Sequence, residues 1–89
     1  MGTPVIIDGV RLPLGKVGGV YRFTRPAQLL ADALLGLVAR TKVRPPEIDD
    51  LIVGCVTQVG EQGGNVARVA GLLANLPTEV PAATVNRWC

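Results

Sequence analysis

The residue with the most chemical promise is a cysteine. Cys89 stands directly behind a run of strand-forming residues, Ala82-Ala83-Thr84-Val85-Asn86-Arg87-Trp88. A residue that leaves a strand and opens a helix sits where backbone N–H groups and the helix dipole favour a thiolate. A thiolate is the nucleophilic form of cysteine. Position alone leaves two readings open, a nucleophile and an ordinary thiol. The sequence ends at Cys89, before any such helix, so the expectation is one piece of a larger cysteine enzyme. Cys55 lies inside an apolar run and reads as a small buried hydrophobe. The two cysteines are too far apart for a Cys-x-x-Cys motif. With no secretory leader they argue for free thiols in a reducing, cytoplasmic setting.

Other chemistries find less support. Histidine is absent, which removes the commonest general base and metal ligand. Asp8, Asp49 and Asp50 show no arrangement suited to acid–base catalysis or metal binding, and no metal is expected. Gly60, Gly63 and Gly64 do not have the Gly-x-Gly-x-x-Gly spacing of a dinucleotide loop, and a tight turn explains them. The net charge of +2 comes from scattered Lys and Arg residues. The densest group, Arg40-Thr41-Lys42-Val43-Arg44, lacks interleaved aromatics and suits a helix C-terminus, so no nucleic-acid partner is expected. No apolar run is long enough to span a bilayer, and no membrane partner is expected.

The elements that must position the cysteine follow from periodicity. The β-branched residues 5–10 predict a first strand. Residues 11–24, with Pro13, Gly15, Gly18 and Gly19, predict a loop. Pro26 fits the first turn of a helix whose apolar stripe is Ala27, Leu30, Ala31, Leu34, Leu37 and Val38, widened by Leu29, Leu35 and Ala39. Pro45-Pro46 should stop it. Residues 51–56 predict a second strand, apolar on both faces and therefore central. After a glycine-rich turn, Asn65 should cap a second helix with Val66, Val69, Ala70 and Leu73 on one face, ended by Asn75 and Pro77. Residues 82–86 predict a third strand. This alternation implies an α/β fold with a parallel or mixed sheet. Hydrophobic residues are 48% and charged residues 18% of the chain, a composition suited to an interior layer rather than a free-standing surface.

Three segments together resemble the N-terminus of a thiolase, an acyltransferase that makes or breaks 3-ketoacyl-CoA. The first is the strand at Val5-Ile6-Ile7-Asp8-Gly9-Val10 followed by Arg11-Leu12-Pro13-Leu14-Gly15-Lys16. The second is Gly54-Cys55-Val56-Thr57-Gln58-Val59-Gly60-Glu61-Gln62-Gly63-Gly64-Asn65-Val66-Ala67-Arg68. The third is Val85-Asn86-Arg87-Trp88-Cys89, similar to the family's Val-Asn-Arg/Lys-x-Cys approach to its nucleophile. The resemblance covers essentially the whole chain.

It implies that residues 1–89 are a partial N-terminal thiolase domain, the first strands and helices of a layered αβαβα fold. It implies that Cys89 takes an acyl group from 3-ketoacyl-CoA and passes it to CoA, with coenzyme A as substrate and no cofactor. The family's histidines and second cysteine come from later in its chain, so the 89 residues alone should be inactive. The family is dimeric or tetrameric. A contact role near a subunit interface is implied for Gln62, Asn65 or Arg68, and a structural or surface role for Arg11 and Lys16. The alternatives are a split thiolase completed by a partner chain, a non-catalytic interaction module or truncated frame, and a related ketoacyl synthase.

Overall fold

Pro26 opens the first helix, α1 (Pro26–Thr41), in a computed structural model that describes residues 2–88. The extended backbone of Arg25 is the conformation that a following proline favours, and proline at the first position gives up only an N–H that would lack a partner anyway. The helix does not run on to Pro45-Pro46. It ends at Lys42, whose left-handed backbone (φ 58°) aims its N–H at the Val38 carbonyl. The two prolines instead begin a short 3-10 turn, Pro45–Glu47. The reversal brings Ile48 back against the core beside Leu34 and Val38.

Two short strands follow, β1 (Leu51–Gly54) and β2 (Ala82–Val85), with α2 (Val66–Leu73) between them. They pair in parallel, in the register Leu51↔Ala82 to Gly54↔Val85. Leu51 N–H donates to Pro81 O and Cys55 N–H to Val85 O, which extends the ladder at both ends. A parallel pair needs a crossover, and α2 supplies it. Helices cover one face of this pair. Leu51 and Val53 are half-buried, whereas Ile52 on the opposite face is 65% exposed. Residues 51–56 are therefore not covered on both faces by the described residues.

Residues 5–10 differ from expectation. They join no ladder among the described residues, and Ile6 is 95% exposed. β-Branched residues favour extended backbone, but a strand exists only beside a neighbour that accepts its hydrogen bonds. Here β1 and β2 take only each other. The segment is held instead by an ion pair from Asp8 to Arg40 Nε at 2.8 Å.

The second helix is capped as its sequence predicts. Asn65 Oδ1 accepts from the Arg68 N–H. Its buried face is turned from the predicted one. Val66, Ala67, Ala70 and Gly71 are buried, while Val69 and Leu73 are about half exposed. The reason is space, since α2 packs against α1 and against both strands. Ala70 and Ala74 meet Ala31 of α1 in the core. A Cβ on Gly71 would lie 3.1 Å from the Leu51 side chain. Close packing on two sides selects small residues over the larger Val and Leu.

Candidate active site

The site is built from β2 outward. The strand is locked to the N-terminus of α2 by one carboxamide. Asn65 Nδ2 donates to Ala82 O at 2.9 Å, and its Oδ1 accepts from Thr84 Oγ1 at 2.7 Å. Thr84 Oγ1 in turn accepts from the Ala67 N–H at 3.2 Å, using a donor that the first helical turn leaves free. Arg68 holds the approach to the strand, donating from Nη1 to Val80 O and from Nη2 to Thr78 O. Helix cap, strand and preceding turn thus form one hydrogen-bonded unit. Asn65 and Arg68, for which the resemblance implied a subunit contact, make these bonds within the chain.

The exit of β2 is organised by Asn86. The strand ends at Val85, one residue before the predicted boundary. Asn86 Nδ2 donates to Val56 O at 3.2 Å, and Asn86 Oδ1 accepts from the Trp88 N–H at 3.0 Å. Trp88 is left-handed, with φ 55°. Sequence reasoning counted Asn86 as the last strand residue and missed this role. The available signal was the residue type, since Asn side chains bond the backbone two residues on. Cys89, the predicted nucleophile, lies outside the described residues.

The remaining sequence candidates are placed as follows. Cys55 is half-buried rather than fully buried. Its Sγ lies 3.7 Å from Gln62 Nε2, which also donates to Thr57 O at 2.7 Å. The glycines form a 3-10 turn at Gly60–Gln62, with Gly60 and Gly64 at positive φ, and Gly63 packs tightly over Gly60 O. This is a turn that leads into a helix cap. Arg11 and Lys16 are exposed. Among the described residues no three His, Cys, Asp or Glu side chains come together.

The family model described as the N-terminal domain of thiolase matches residues 4–89. The chain belongs to the thiolase family. It is 50% identical over 91 residues to the 3-ketoacyl-CoA thiolase of Vibrio cholerae, covering all of this chain and 24% of that protein. It is 46% identical over 89 residues to the steroid 3-ketoacyl-CoA thiolase FadA6 of Mycobacterium tuberculosis, again over its whole length and 22% of that protein. Among solved structures, it is similar to the acetyl-CoA acetyltransferase of Bacillus anthracis. The TM-score is 0.74 at 34% identity, over 82% of this chain and 18% of the other. The chain therefore spans about a quarter of the length of its curated thiolase relatives. The thiolase fold accounts for the parallel β1–α2–β2 unit.

Proposed function

We propose that this chain is the nucleophile-bearing N-terminal part of a thiolase that transfers acyl groups between 3-ketoacyl-CoA and CoA. The observation that carries the reading is the whole-chain match to the thiolase N-terminal domain, which includes Cys89. A hydrogen-bonded strand, Ala82–Val85, that closely precedes Cys89 in the sequence supports it.

In this reading the Cys89 thiolate attacks the 3-keto carbon of the substrate. The bond between C2 and C3 breaks, acetyl-CoA departs after its C2 takes up a proton, and the acyl group remains on sulfur. The thiolate of a second CoA then attacks the thioester and frees Cys89. The reverse course is the condensation of two acyl-CoA molecules. Bases for the proton transfers come from further polypeptide, because the chain contains no histidine. The exposed sheet face around Ile52 favours such completion, whether by the same polypeptide or by a partner chain. The working enzyme is a cytoplasmic dimer or tetramer without a cofactor.

The test is to mix the intact protein with acetoacetyl-CoA, quench, and digest. An acetyl group on the peptide containing Cys89 is expected. Cys89→Ser should abolish the adduct and lower turnover by about a thousandfold or more. Unchanged turnover in Cys89→Ser would refute the assignment.

A further inference from the structure

We draw no further inference here: the strongest candidate, the groove between the start of α1 and the outward face of α2, lined by Phe23, Ala27, Val69 and Leu73 together with the Arg25–Glu61 ion pair, carries nothing because nothing in the structure shows what covers it.

Discussion

At the scale of single residues, two asparagines do most of the organising. Asn65 satisfies the first turn of α2, a strand carbonyl and the Thr84 hydroxyl with one side chain. Asn65→Ala removes all three and leaves half-buried partners unpaired. A loss of about 2–3 kcal/mol is expected in urea denaturation of the intact protein. Asn65→Asp keeps the two bonds that Oδ1 accepts and should cost less. Equal losses in the two variants would show that the bond to Ala82 O dominates the interaction. Asn65 was recognisable from sequence as a cap, because a short polar acceptor stands directly before an apolar helical pattern. Its bonds to β2 were not, because they join residues 17 and 19 positions apart.

At the scale of elements, helix ends are decided by backbone geometry and helix faces by neighbours. The start of α1 at Pro26 is a local property of proline. Its end is not marked by the residue type at the turn, since Lys42 adopts a left-handed backbone that favours glycine. Lys42→Gly should therefore stabilise the protein by about 0.5–1 kcal/mol, read as a rise in melting temperature. A fall would mean that the Lys42 side chain contributes more than its backbone strain costs. The face of α2 shows the opposite kind of dependence. Hydrophobicity points to Val69 and Leu73, but contact on two sides buries Ala67 and Gly71. Van der Waals space, not transfer free energy alone, sets that rotation.

At the scale of the whole molecule, the described core is thin. Its buried members are Ala31, Val66, Ala67, Ala70, Ala74, Leu76 and Val80, and none of the large side chains is fully enclosed. The radius of gyration is 13.8 Å, against about 12 Å for a compact domain of 89 residues. The uncovered sheet face carries Ile52 and Val85, and the segment at Val5, Ile6 and Ile7 is equally bare. Apolar surface of this kind is normally an interface. In the intact thiolase Ile52→Lys should therefore cost about 3 kcal/mol or more, because it would put a charge into that interface. A change within about 0.5 kcal/mol would show that the face meets water.

The sequence by itself determined the alternation of helices and strands, the proline start of α1, the asparagine cap of α2 and the candidacy of Cys89. Each of these depends on residue type or on spacing within a few positions. Tertiary structure alone decided that residues 5–10 pair with nothing among the described residues, that α2 turns its alanines and glycine inward, and that Asn86 reaches across to Val56 O, 30 positions away. These outcomes depend on which surfaces meet. Strand pairing and close packing join residues far apart in the chain, and local propensity carries no record of those partners.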